Sequence, residues 1–463
     1  MLDVDETIEA FRRGVLDIDC KRMALTQIKE GGERFEGQGY IRQSDDGSLI
    51  FKIYVEKADA KPLGHLDAIF NSPAGKLHSD EMFYDLHATA HDGTHWTATR
   101  ILPAAHWDMT DQTVLANGKM QAMTAHIDLP QTRNHLVLHF FEEYRVPLHQ
   151  MTETERYGNR YFTRDRAEFA TLGVEFSVRV RDGSGDTIFE IASDTPFPVA
   201  FDMRVQEALQ FITAKTAIWR VRFQSADEGM ELELASPWRK SPRTQFGPPI
   251  APNSTYFLEQ GWRLFEEYLA YVVDKTNGTH WNPVAYHLYN ACEATANSVD
   301  AWAVAVSVAV EALSGLIAIE GDEQRAERLA LFQERARKWL EEQKDLADVA
   351  DRGRRQIDAM SNKRPQDTLY ALAETGHVEK SYVDAWKYLR NRHVHPKLND
   401  LQKPSPVDYQ KLLDHIHRVE TLLRQLTFYL IGYEGPFTDY GVHGKHAFPS
   451  KQYPLRTDGA AEV

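Results

Sequence analysis

The sequence predicts an α+β protein of more than one domain, with an antiparallel β-sandwich-like N-terminal part followed by an all-α helical bundle. Three observations point that way. Residues 35–237 hold short runs of alternating polarity separated by turn signals. From about residue 283 the apolar residues return instead at three, four and seven residue intervals. A chain of 463 residues, 42 % of them hydrophobic, also exceeds what one compact core holds.

Residues 1–34 read as a helical or irregular lead-in, and 35–274 as a β-rich sensor or regulatory domain with a closing helix. Ser48 to Val55 and Val174 to Val180 alternate as half-buried strands do, and Asp92-Gly93 and Asp182-Gly183 supply hairpin turns. Two helices interrupt or close this region, Val205 to Ala214 and Tyr256 to Val273, the second carrying Phe257, Trp262, Phe265 and Leu269. The predicted domain boundary is 275–282, which contains Asn277-Gly278.

The helical region is placed at 283–432, with a tail at 433–463. Pro283 opens the first helix from a favoured first-turn position. Asp300 is read as the N-cap of a second, Ala301 to Ile319, ended by Gly321. A third, long and charged, is expected from Glu323 to Met360, with Leu329, Phe332, Ala336, Trp339, Leu346 and Val349 as its apolar positions. A fourth fits Gln366 to Glu374, closed by Gly376. The fifth presents Val383, Trp386 and Leu389 as one stripe and leaves Arg390 and Asn391 off it. Pro396 disfavours helical geometry at His395, so this helix is expected to fray there. After Pro404-Ser-Pro406, Leu412, Ile416, Val419, Leu423, Leu426 and Leu430 mark the apolar face of a last helix.

The end of the fifth helix gathers the minimum set of side chains that RNA cleavage without a metal requires. An imidazole titrates near neutrality, so His395 would take a proton from a ribose 2′-hydroxyl or give one to the leaving 5′-oxygen. Arg390 keeps its charge, and its planar fork suits phosphoryl oxygens as negative charge builds on them. Asn391 would orient as donor and acceptor. Spacing alone is weak: with 19 histidines in the chain, about one Arg–His match per spacing arises by chance. Arg100 to His106 and Arg133-Asn134 to His139 are such decoys, both in strand-like sequence.

The phrase Ala385-Trp386-Lys387-Tyr388-Leu389-Arg390-Asn391, with His395 four residues further on, resembles the HEPN superfamily, whose members carry an Arg-x4-6-His ribonuclease motif with a polar residue after the Arg. Val310-Glu311-Ala312-Leu313 is similar to the second helix of such domains. Leu430 to Tyr440 resembles the tail of ApeA-like anti-phage proteins, in which a β-rich region precedes the HEPN unit. The resemblance covers roughly 283–440 and departs from many relatives at Pro396, where they have Gly. It implies that Arg390, Asn391 and His395 are catalytic, that two motifs meet in a homodimer through the HEPN domain, and that cleavage leaves 2′,3′-cyclic phosphate ends. It implies no cofactor, RNA as substrate (tRNA among the candidates) and a phage-derived trigger, as in abortive infection. Glu311 would face the catalytic side, against the plainer alternative that it points out of the core.

The net charge of −15 is unlike a nucleic-acid enzyme, but phosphate binding needs only a local basic face. Residues 352–397 hold ten basic residues against five acidic ones. Arg354, Arg355, Lys387, Arg392, His393 and Lys397 are its RNA-binding candidates, and a solvated helix surface explains the same charges without RNA. Cys20 and Cys292 lie far apart, which suits a reducing cytoplasm. The first residues lack a signal peptide's basic start and apolar core. Ala301 to Ile319 is apolar enough to suggest a membrane span, but the carboxylate of Glu311 at its centre favours a buried bundle helix and no membrane.

Two other functions compete with the ribonuclease. One is a non-catalytic HEPN scaffold that binds RNA, a nucleotide or a partner protein. The other is a sugar- or metal-binding β-domain enzyme using His87, His91 and His95, whose four-residue spacing would align on a helix but not across the Asp92-Gly93 turn. No metal site is expected, since neither Cys nor carboxylate clusters beside those histidines.

Overall fold

The computed structural model of the chain describes residues 2–59, 75–107, 114–129, 132–156, 159–181, 185–226, 229–237, 245–319, 322–343, 347–360, 364–394, 406–444 and 447–455. It is an α+β structure of two compact units, one formed by residues 1–144, 148–202 and 217–241, the other by 145–147, 203–216 and 242–463.

The first unit is a sheet. Its strands are β1 (Asp17–Gln27), β2 (Arg34–Gln43), β3 (Leu49–Asp59), β4 (Tyr84–Ala90), β5 (His95–Ile101), β6 (Ala104–Trp107), β7 (Val114–Met120), β8 (Ala122–Ile127), β9 (Asn134–Phe140), β10 (Gln150–Arg156), β11 (Asn159–Thr171), β12 (Val174–Val180), β13 (Thr187–Ser193), β14 (Val221–Ala226) and β15 (Gly229–Ala235). Their order is β10-β11-β12-β13-β9-β14-β15-β8-β5-β4-β1-β2-β3-β7-β6. The ladder is unbroken through all of them, so the described strands make one open antiparallel sheet where the alternating runs suggested two facing ones.

Alternation decides which side is buried. Met23, Leu25, Phe51, Ile53, Leu86, Trp96, Leu232 and Leu234 share one core, and Phe11 of α1 (Val4–Arg13) packs into it. Asp3 caps α1 by accepting from the Glu6 amide at 3.0 Å, and Gly14 closes it at φ 76°. The sheet therefore begins inside the 1–34 lead-in: β1 lies between β4 and β2. Its register shifts between Cys20 and Met23, which breaks the period-two signal a strand normally gives. The Asp92-Gly93 turn joins β4 to β5, with Asp92 Oδ1 accepting from the Thr94 amide at 2.9 Å and Gly93 at φ 94°. Asp182-Gly183 lies outside the described residues.

The second unit is mostly helical: α2 (Phe201–Thr213), most of which belongs to it, α3 (Phe257–Lys275), α4 (Pro283–Ala294), α5 (Val299–Leu316), α6 (Asp322–Glu342), α7 (Ala347–Ala359), α8 (Pro365–Glu374), α9 (Lys380–Leu389) and α10 (Pro406–Ile431). The contacts thus divide the chain elsewhere than at 275–282. Glu207 on α2 accepts the Asn282 amide at 2.9 Å, and Arg204 donates to the His280 carbonyl at 2.7 Å, so that segment is stitched into the helical unit. Phe211 also stacks on Tyr268 of α3 with centroids 4.3 Å apart.

Other boundaries differ for local reasons. Ser298, not Asp300, caps α5, its hydroxyl accepting from the Ala301 amide at 3.0 Å, while Asp300 sits in the first turn. The expected single helix over 323–360 is two. α6 and α7 are joined where Gln333 Nε2 donates to the Ile357 carbonyl (2.7 Å) and Arg337 pairs with Asp358 (2.6 Å), contacts a continuous rod could not make. Leu412, Ile416, Val419, Leu423 and Leu426 of α10 are buried as their spacing predicts, while Leu430 of the same expected face is half-buried. The tail joins the unit through a two-stranded sheet, β16 (Gly435–Thr438) with β17 (Ser450–Tyr453), and through Tyr382, whose hydroxyl donates to the buried Asp439 carboxylate at 2.7 Å. α5 is long and apolar enough to cross a membrane by length and composition. Trp302, Ala303, Val306, Ala309, Val310 and Leu313 of this helix are buried within the protein.

Candidate functional site

Helix α9 exists to be anchored. Tyr382, Val383, Ala385, Trp386 and Leu389 are buried along one side, and the indole Nε1 of Trp386 donates to the Ser307 carbonyl on α5 at 3.0 Å. The Val383, Trp386 and Leu389 stripe thus fixes how α9 lies against the most apolar helix of the unit.

At Leu389 the helix changes type. Arg390–Val394 form a π turn, with hydrogen bonds to the fifth residue rather than the fourth. Arg390 itself keeps α dihedrals, φ −56° and ψ −47°, and its amide still donates to the Trp386 carbonyl, so the turn widens beyond it, before the fraying expected from Pro396. Arg390 reaches back to α5: its Nε lies 2.9 Å from Glu311 Oε2 and its Nη2 3.4 Å from Glu311 Oε1. Its guanidinium carbon is also 5.9 Å from the centroid of the Trp386 ring. Both partners remain about a third exposed, so the pair is open to solvent and to an arriving anion. Of the two orientations open to Glu311, the structure has the one facing Arg390.

The rest of the motif is held more loosely. Asn391 is exposed. Arg392 Nη1 donates to the Tyr388 hydroxyl at 3.1 Å, and the Tyr388 ring stands edge-on to His415, centroids 4.4 Å apart. Burial, with the positive charges of Arg418 and Lys411, keeps His415 below the usual imidazole pKa. His393 Nδ1 is 3.4 Å from Asp300 Oδ1, with the imidazole 9 % and the carboxylate 77 % exposed. Nothing in the sequence announced this contact beyond an acidic residue in the first turn of α5. Lys387 is exposed on α9. His395 and Lys397 lie outside the described residues.

Arg354 and Arg355 sit on α7, Arg354 pairing with Asp351 at 3.1 Å and Arg355 donating to the Asp351 carbonyl at 3.3 Å. No described contact brings them to Arg390. Much of the acidic complement of this region is engaged. Asp367 pairs with Arg325 (2.6 Å) and Asp358 with Arg337 (2.6 Å). The Asp384 carboxyl is held below its ordinary pKa, chiefly by the Tyr370 hydroxyl and then by Lys380.

The decoys are accounted for in the sheet unit. Arg133 is paired with Asp194 (2.6 Å) and Glu175 (3.1 Å). Burial, with Arg179 and Arg181 nearby, pushes the His139 imidazole down to about 4, too low for proton exchange near neutrality. Arg100 binds Asp80 at 2.8 Å. Of the four-spaced histidines, His87 and His95 face one groove on adjacent strands while His91 does not line it. No group of three or more metal-ligating side chains occurs among the described residues.

A scan against protein-family models, a search of curated proteins and a search of solved structures find no match for the chain.

Proposed function

We propose that the chain is a metal-independent RNA endonuclease of the HEPN type, acting as an abortive-infection effector in the cytoplasm. The observation that carries the proposal is the placement of Arg390: a π turn at the end of a rigidly anchored helix presents a guanidinium that is oriented by Glu311 and still reachable from solvent. π turns recur at functional sites because they re-aim side chains at some cost to the helix.

In the proposed reaction the ribose 2′-oxygen attacks the adjacent phosphorus and the bond to the 5′-oxygen breaks, giving a 2′,3′-cyclic phosphate. His395 relays the proton lost by the 2′-hydroxyl or supplies the one gained by the 5′-oxygen. Arg390 meets the charge on the phosphoryl oxygens, and Asn391 orients the sugar or phosphate. Lys387, Arg392, His393, Lys397, Arg354 and Arg355 are the proposed RNA contacts. A homodimer with two facing motifs, in an all-α HEPN bundle, would supply both an acid and a base from two copies of His395. The β-rich unit would sense a phage-derived signal.

One observation favours a second function. The Arg390–Glu311 ion pair already neutralises the guanidinium, which suits a non-catalytic HEPN scaffold for RNA, a nucleotide or a partner protein. Cleavage assays separate the two. His395→Ala is expected to lose activity by about 100- to 10,000-fold while remaining folded, and wild-type cleavage is expected to survive EDTA. Undiminished cleavage by His395→Ala, or loss in EDTA, would remove the proposed mechanism.

A further inference from the structure

The outward face of the sheet carries an open groove of about 620 Å³ over β1, β4 and β5, extending to Arg34 on β2. Strand register explains its composition. Thr89 on β4 is opposite Arg22 on β1 and His95 on β5, while His87 is opposite Ala24 and Thr97. Ala24 is the small residue of this face, and its lack of bulk makes the floor. Thr26 lies between Arg34 and Asp85 at the far end. The groove therefore has an arginine at each end and two imidazoles and three hydroxyls between them.

We propose that this groove binds a phosphorylated ligand of nucleotide size. Arg22 makes no ion pair among the described residues, so its planar fork, suited to bidentate contact with phosphoryl oxygens, is available. Arg34 is braced by Glu36, Nε to Oε1 2.8 Å, which fixes its position at the other end. Thr89 Oγ1 lies 3.2 Å from His95 Nδ1. With that hydroxyl donating to Nδ1, the imidazole proton sits on Nε2 as a further donor for an oxyanion. Asp85 is engaged by the Arg100 amide at 3.2 Å and stands beside Thr26, away from Arg22, where it suits a sugar hydroxyl rather than a phosphate. The volume falls within the range of small-molecule sites. A metal is the poorer occupant, since the groove's donors do not form a ligand cluster.

Calorimetric titration of the full chain with pyrophosphate, ADP and adenosine tests this. Pyrophosphate and ADP are expected to saturate one site and adenosine to give no saturable binding. Loss of one charge-assisted contact should weaken both phosphorylated probes about ten-fold or more in Arg22→Gln and in His95→Gln. Arg42→Gln, on β2 outside the groove, should bind as wild type does. Arg22 and His95 are exposed, and a melting curve for each variant verifies the fold. Equal binding of adenosine and ADP would overturn the proposal. So would absence of saturable pyrophosphate or ADP binding below about 1 mM, or unchanged affinity in Arg22→Gln and His95→Gln. Loss in Arg390→Ala but not in Arg22→Gln would transfer the binding to the other unit and equally dispose of the groove.

Discussion

Arg390 Nε and Glu311 Oε2 stand 2.9 Å apart, joining two helices across 79 positions of the chain. A pair this exposed contributes little to stability, about 0–1 kcal/mol. Its value would lie in orientation, because a misplaced phosphate contact costs rate steeply. Glu311→Gln is therefore expected to leave the melting temperature nearly unchanged and to slow RNA cleavage about ten-fold or more. Melting curves beside single-turnover rates check this; equal rates in the two proteins would relieve Glu311 of any positioning role.

Trp386 offers a contrasting case, since it is buried and its indole donates to the Ser307 carbonyl. Trp386→Phe removes one donor and is expected to cost about 1 kcal/mol. Trp386→Ala removes the packing too and should cost about 3–5 kcal/mol. Denaturant titrations measure both. An alanine variant as stable as wild type would show that α9 is anchored elsewhere.

His139 predicts a pH dependence confined to the sheet unit. Burial lowers its folded pKa from 6.5 to about 4, so the unfolded chain binds the extra proton between those values. The sheet unit should lose stability as pH falls from 6.5 toward 4, by up to about 3 kcal/mol, and keep it above 6.5. His139→Gln should remove that slope and leave RNA cleavage chemistry intact, as should Arg133→Ala. A folded His139 variant as inactive as His395→Ala would mean that the wrong histidine carries the reaction.

The proposed dimer has a surface to use. Trp339 and Phe332 on α6 are more than half exposed, a large apolar expenditure for a charged helix. Trp339→Glu is expected to shift the protein toward monomer in light scattering. Mixing inactive Arg390→Ala and His395→Ala subunits should restore part of the activity if two motifs share one cleft. Monomers that cleave RNA at full rate would end the shared-site model.

Periodicity made much of the fold readable. The α10 face and the Val383, Trp386 and Leu389 stripe follow from helical spacing alone, and the β4–β5 hairpin from Asp92-Gly93. What escaped was set by partners distant in sequence. β1 hides its alternation behind a register shift. α2 and the 275–282 segment look like the edge of a β domain until Arg204 and Glu207 are seen to bind the backbone at His280 and Asn282. At the site, the residue types of the motif were legible and Glu311 was a stated alternative. The His393–Asp300 contact and the π turn were not, because neither has a local composition that separates it from an ordinary helix end.

The widened turn after Leu389 also governs which changes of chain length this region can bear. A π turn holds one residue more than an α turn requires. Deleting one residue within that turn would be taken up locally, the amides closing on the fourth carbonyl instead of the fifth while the helix upstream kept its place. The regular part of α9 has no such slack. Deleting one residue between Trp386 and Arg390 would turn Arg390 by roughly 100° about the axis, the rotation of one α-helical residue, and carry it away from Glu311.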